Sequence, residues 1–299
     1  MVSDTILVTG ARGQLGTDLV ETLGRHHRVI GVDIDDFDLT NLQQVAQMFA
    51  AHSPTVVIHA AAFTDVDRCE SEPDQALRVN ADASGLLART CREHSARMIY
   101  YSTDYVFDGA KRALYLESDM PNPLTAYGRS KLDGERRVTA MLDGYCILRL
   151  AWVYGRHGNN FVKTMVRLGL EQIRRRERGE TVQPIRVVND QIGNPTWTCD
   201  IVRQTEDIVS RPVTGLFHCT SEGECSWYEF AVSIFRELDL PVEVVPCATA
   251  EFPRPAPRPA YSSLENAELK RQGRNLMRPW RDALGEFLAA RKEELLHAV

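Results

Sequence analysis

Paired cysteines are missing from this 299-residue sequence: its seven cysteines include no CxxC, and Cys219 and Cys225, the closest two, sit in no metal-site pattern. That argues against a disulfide scaffold or a zinc module and fits reduced thiols in a cytoplasmic protein. Long apolar runs are missing too. No stretch approaches the roughly 18 apolar residues of a membrane span, so no membrane partner is expected. The opening MVSDTILVTG has no basic stretch ahead of a long apolar one, so no signal peptide is read there. A basic surplus is also absent. Lys and Arg number 35 against 41 Asp and Glu, a formal net charge of −6, which is not the footprint of a nucleic-acid partner. His26, His27, His52, His94, His157 and His218 show no ligand spacing, and no metal site is assigned. No internal repeat is visible.

What is present is an ordinary globular mixture, 43% hydrophobic and 25% charged, with ample material for a core. Short β-branched runs alternate with helical patterns through the first half. Strands are expected at Thr5–Thr9, Arg28–Val32, Thr55–His59, Met98–Ser102 and Tyr145–Leu150. Helices are expected at Gly13–Gly24, Leu42–Ala51, Pro73–His94 and Leu124–Leu142. This alternation predicts an α/β fold, a Rossmann-type doubly wound parallel sheet covered by helices on both faces. The second half is less regular. Helices are read at Asn160–Arg176, Asp200–Ser210, Trp227–Leu238 and from Pro279 onward, and strands at Thr181–Val188 and Gly215–Cys219. Pro253 to Pro259, with four prolines, reads as an ordered loop. We expect a dinucleotide-binding domain over 1–150 and a smaller α/β substrate lobe over 151–299, with some later segments returning to the first domain.

The first strand runs into Gly10-Ala11-Arg12-Gly13-Gln14-Leu15-Gly16 and then a helix. A pyrophosphate must approach bare N–H groups at a helix N-terminus, where a Cβ would block it. Asp33 ends the next strand, placed to bond the adenosine ribose hydroxyls of NAD, NADH being then the favoured form. Arg12 could instead pair with a 2′-phosphate, which would favour NADPH. Downstream, Tyr127 and Lys131 stand four apart and share a helix face. A neighbouring cation lowers a phenol's pKa and fits it for acid–base work. Thr103, at the C-terminal end of the fourth strand, could hold a carbonyl oxygen beside Tyr127, and Asp104 could assist.

Taken together these segments resemble the extended short-chain dehydrogenase/reductases, and more narrowly the dTDP-4-dehydrorhamnose reductases. The resemblance runs through TGARGQLG, AAFTDVDRCESEP from Ala61, STDYVF from Ser102, YGRSKLDGE from Tyr127, LRLAWVYG from Leu148, NNFVKTM from Asn159, VVNDQIGNPT from Val187 and RPAYSSL from Arg258. It implies hydride transfer from NADPH or NADH to C4 of a dTDP-linked 6-deoxy-4-keto sugar. Thr103, Tyr127 and Lys131 would be catalytic, with Asp104 beside them. Ala60, Ala61 and Ala62 would pass under the cofactor, and Asp38 and Leu39 would lie against its adenine. Thr64, Val66, Trp152, Asn160 and Arg258 would meet the substrate. From position alone, Trp152 fits a core and Arg258 a surface turn equally well, and Asn160 fits a helix cap better. The sequence departs from the family at His59, Asp65, Leu150-Ala151 and Tyr261. A homodimer is a further expectation. Two other activities fit the same motifs: a sugar-nucleotide epimerase or dehydratase, and a non-catalytic subunit like that regulating methionine adenosyltransferase.

Overall fold

The structure is a computed structural model and describes residues 4–297. Six parallel strands form its main sheet: β1 (Thr5–Thr9), β2 (Arg28–Val32), β3 (Val56–His59), β4 (Arg97–Thr103), β5 (Tyr145–Leu150) and, later in the chain, β10 (Gly215–His218). Their order is β10-β5-β4-β3-β1-β2. The chain steps outward from β1 to β2, then returns to build on the other side of β1 through β3. Open α/β sheets bind ligands where the winding reverses in this way, at the strands' C-terminal ends.

The sheet is buried on both sides, which is why its strands are apolar runs and not alternating ones. Ile6, Val8, Val56 and Ile58 point into one apolar layer with Leu19, Leu23, Ile201 and Ile208. Leu7 and Val57 point into the other, with Val45, Phe49, Leu87 and Ile147. The helices supplying these layers include α1 (Gln14–Leu23), α2 (Leu42–His52), α5 (Ala83–Glu93), α6 (Ala126–Met141) and α8 (Thr198–Ser210). The short α3 (Val66–Ser71) and α4 (Pro73–Leu77) lie between β3 and α5.

A second core gathers Tyr154, Val166, Trp197, Phe230, Ile234 and Phe287. It is built by α7 (Phe161–Glu177), α9 (Trp227–Glu237) and α11 (Trp280–His297), with α10 (Ala267–Arg271) lying between the last two in sequence. Three two-stranded ribbons accompany it: β6 (Val153–Tyr154) with β9 (Thr196–Trp197), β8 (Ile192–Gly193) with β11 (Cys225–Ser226), and β7 (Ile185–Val188) with β12 (Val244–Cys247).

Three expectations change. The helix read over Pro73–His94 carries a π-turn at Arg78–Asp82 between α4 and α5. The strand read from Thr181 begins at Ile185, after Pro184, which has no N–H to donate. And β6, β8, β9, β11 and β12 were not read in the sequence; Pro246 lies inside β12, where a two-stranded ribbon tolerates the missing donor on its free edge. Among the described residues no helix is long and apolar enough to cross a membrane.

Candidate active site

A cavity of about 1170 Å³ opens at the C-terminal ends of β1 to β5. Its floor is the glycine loop. Gly10 has φ +68°, and a Cβ there would lie 2.7 Å from the Ala61 backbone; one on Gly16 would lie 2.0 Å from the Gly10 carbonyl. Both positions therefore require glycine. Gly13 stands at the N-cap of α1 with no side-chain cap, so the first N–H groups of that helix stay free for an anion. Arg12, Gln14 and Leu15 line the same floor, and Ala60, Ala61 and Ala62 line it from the end of β3. Asp33, Asp38 and Leu39 line the end beyond β2. A glycine loop packed this tightly on its own backbone, with free helix N–H groups beside it, fits a dinucleotide pyrophosphate.

Thr103, Asp104, Tyr127 and Lys131 line the cavity from the β4–β5 side, and Thr64 and Val66 face it from the start of α3. Thr125 caps α6 by accepting from the Gly128 N–H at 2.9 Å. The helix seats tightly: a Cβ on Gly128 would stand 2.2 Å from the Tyr105 carbonyl. Tyr127 packs edge-on to Tyr105, with ring centres 5.7 Å apart, and the nearby Thr103 side chain favours its ionised form, against its burial. Thr103 Oγ1 donates to Asp104 Oδ1 at 3.1 Å, and Ser262 Oγ donates to Asp104 Oδ2 at 2.6 Å. Lys131 Nζ donates to the Tyr101 carbonyl at 2.6 Å and sits 4.2 Å above the Tyr100 ring.

Burial governs the titration here. It pushes Asp104 up to about 6, against the bonds from Ser262 and Thr103, and it brings Lys131 down to about 7, against the pull of Glu135. His59 falls to about 3 through burial and the Lys131 charge. That imidazole is neutral, bonded to Thr9 Oγ1 at 2.7 Å and Ser84 Oγ at 3.1 Å. The direction at Tyr127 is opposite to the acidification expected of it. Desolvation pushes its phenol above the ordinary value, and the ammonium expected to oppose this is turned to the strand backbone.

Trp152 lines the cavity but stacks on protein: its ring centre lies 3.5 Å from that of Trp227, the planes nearly parallel at 7°. Trp227 also lines a second cavity of about 490 Å³, with Phe161, Met165, Arg186, Arg254 and Arg258. Arg258 is thus placed in the neighbouring space, paired with Asp67 at 3.0 Å. Asn160 lines neither cavity. It caps α7 by accepting from the Lys163 N–H at 3.1 Å, and its amide donates to Gln14 Oε1 and the Gly155 carbonyl, which braces the glycine loop. Asn159 lines the first cavity instead.

Sequence reasoning missed Trp227, which no motif marks. It also missed Asn80, carried by the π-turn. Asn80 Oδ1 accepts from the Phe63 N–H at 2.8 Å, and its amide donates to Ser130 Oγ at 2.9 Å. This ties the strand β3 exit to α6. Histidine spacing gave no ligand set, yet the fold brings His157 within 3.5 Å of Asp18 and 3.8 Å of Glu21, as a partly exposed ion-pair group.

The family model described as the RmlD substrate binding domain matches residues 4–293. The dTDP-4-keto-6-deoxy-D-glucose reductase of Streptomyces niveus is 41% identical over 95% of this chain and 96% of its own. Two solved structures named as dTDP-4-dehydrorhamnose reductases superpose with TM-scores of 0.91 each. That of Clostridium acetobutylicum is 42% identical, covering 96% of this chain and 99% of its own. That of Bacillus anthracis, a complex with NADP, is 37% identical, covering 97% and 100%. With the match spanning nearly every described residue, the chain belongs to the RmlD family of nucleotide-sugar reductases.

Proposed function

We propose that this protein reduces the C4 ketone of a dTDP-linked 4-keto-6-deoxy sugar with NADPH or NADH, taking dTDP-4-dehydrorhamnose to dTDP-L-rhamnose. The observation that carries the reading is one cavity holding both the glycine cradle and the Thr103, Tyr127 and Lys131 group. The bound dinucleotide supplies the hydride. Tyr127, kept protonated by its burial, delivers its proton to the oxygen of the ketone as negative charge develops there. Thr103 orients that oxygen by turning its one hydroxyl proton to it from Asp104 Oδ1, where it rests in this structure. Lys131 holds the cofactor ribose, and bringing a hydroxyl to its ammonium replaces part of the water it lost on burial.

The second cavity suits the rest of the substrate. Phe161 and Trp227 offer faces for a base, and three arginines offer partners for a diphosphate. We accordingly read 1–150 as mainly cofactor-binding and 151–299 as mainly substrate-binding. All seven cysteines are free thiols, which suits a cytoplasmic enzyme.

The test is oxidation of NADPH and NADH by the purified protein with dTDP-4-keto-6-deoxy-L-lyxo-hexulose. The expected result is one reduced cofactor consumed per product; an epimerase would consume none. Tyr127→Phe should remove turnover by about 100-fold or more while dinucleotide affinity holds. A folded, cofactor-binding protein inert towards every 4-keto sugar nucleotide would refute the reading.

A further inference from the structure

The far end of the first cavity, beyond β2, holds an unusual charge arrangement. The segment Asp33-Ile34-Asp35-Asp36 puts two carboxylates, Asp35 and Asp36, on the Arg12 guanidinium and a third, Asp33, on the Arg12 backbone N–H. Asp33 is held in place from both sides. Its Oδ2 accepts from the Arg12 N–H at 2.8 Å, and its Oδ1 accepts from the Ile34 N–H at 2.9 Å. Each oxygen keeps a lone pair for a further donor. A pair of adjacent ribose hydroxyls is such a donor set; a phosphate, which has only acceptors at neutral pH, is not.

Arg12 is the side chain that could rescue a phosphate there, and it is already engaged. Its Nη2 donates to Asp35 Oδ2 at 3.0 Å and its Nη1 to Asp36 Oδ2 at 3.2 Å. These pairs are exposed and individually weak. Breaking them is not the obstacle. The obstacle is what remains: two carboxylates set free beside a dianion, next to a third that cannot turn away. Asp36 also accepts from the Asp33 N–H at 2.8 Å, so the turn itself fixes a carboxylate near the ribose position. The other cation lining this end, Arg78, is drawn towards Asp38 and donates to Gln75.

We infer that this chain selects NADH over NADPH, with Asp33 as the ribose-binding residue and Asp35 and Asp36 as specificity-determining residues that neutralise Arg12. The inference rests on reading the first cavity as the dinucleotide site. It differs from the cofactor of the Bacillus anthracis relative, whose structure is a complex with NADP.

The test measures binding without any sugar substrate. NADH and NADPH are titrated into the full-length protein, followed by intrinsic fluorescence and by calorimetry, at low ionic strength. The expected Kd for NADPH is at least about tenfold weaker than for NADH, with the gap narrowing as salt rises. The double variant Asp35→Ser, Asp36→Asn keeps an acceptor for the Asp33 N–H and frees Arg12. It should tighten NADPH binding by about tenfold and move NADH by less than about twofold. Adding Arg12→Ala to that variant should abolish the gain. Wild-type protein that binds NADPH as tightly as NADH overturns the inference, as does a double variant with an unchanged ratio. A clear NADH preference without turnover on any 4-keto sugar would sink the proposed reaction and leave this selectivity standing.

Discussion

Asp104 is a carboxyl group with almost no access to water, held by two hydroxyl donors, its neighbour Thr103 and the distant Ser262. Burial lifts it from 3.8 to about 6, so the folded protein binds that proton more tightly than the unfolded chain does. The favourable contribution is complete below pH 3.8 and is lost as pH climbs through 6; above that, the buried charge works against folding. A displacement of about two pH units corresponds to about 3 kcal/mol, part of which the lost hydrogen bonding of a variant would offset. Asp104→Asn should therefore be more stable than wild type at pH 8 and no more stable near pH 4, as read by urea unfolding at both values. A variant less stable than wild type across the whole range would show that the hydroxyl donors, and not burial, dominate this group. Residues such as Thr103 and Asp104 were legible in the sequence because a hydroxyl and a carboxyl follow a strand directly. Ser262 was not, since only tertiary folding brings it 158 positions back to Asp104.

Between elements, the indole pair is the most constrained feature. Trp152 adopts φ +44°, a conformation that costs free energy for a bulky residue. It is compensated by a stack on Trp227 and by the bare backbone of Gly193, where a Cβ would stand 2.4 Å from the Trp152 ring. Gly193 belongs to β8, whose partner β11 leads directly into α9 and Trp227. One ribbon thus sets both the ring and the space behind it. Gly193→Ala should destabilise the protein by about 1–3 kcal/mol through overpacking and weaken binding of a dTDP-sugar. Dinucleotide Kd should stay within about twofold, because the glycine cradle is built from other elements. An equal loss of both affinities would count against a local effect. Local sequence pattern located most of the main sheet because each of its strands is a buried apolar run flanked by helices. It missed the π-turn, which carries Asn80 and its bonds to Phe63 and Ser130, and the ribbon strand β12, whose Pro246 argues against a strand everywhere except at an edge. The stacking of Trp152 on Trp227 was equally invisible, since 75 residues separate partners that no periodicity links.

At the scale of the molecule, the two cavities meet at Trp227, and one carboxylate, Asp67, ties the chain's halves across them by ion pairs to Arg258 and, at 4.0 Å, to Arg254. Asp67 of α3 accepts from Arg258 Nη2 at 3.0 Å and from the Ala256 N–H at 3.2 Å. The proline-rich loop is pinned by this carboxylate, and the Arg258 charge reaches Tyr105 in the first cavity. A substrate diphosphate in the second cavity would compete with Asp67 for the same guanidinium. Two variants separate this competition from simple bracing. Arg258→Ala removes the cation and should weaken dTDP binding by about tenfold or more, as expected for charge-assisted bonds. Asp67→Asn keeps an oxygen for the Ala256 N–H but removes the competing charge, and should tighten dTDP binding by a few-fold. Calorimetric titration with dTDP alone reads both. If Asp67→Asn weakens binding as much as Arg258→Ala does, the pair acts as a fixed brace whose geometry the ligand needs, and Arg258 does not change partners. If it tightens binding, the carboxylate of the first half restrains an arginine of the second until a diphosphate arrives.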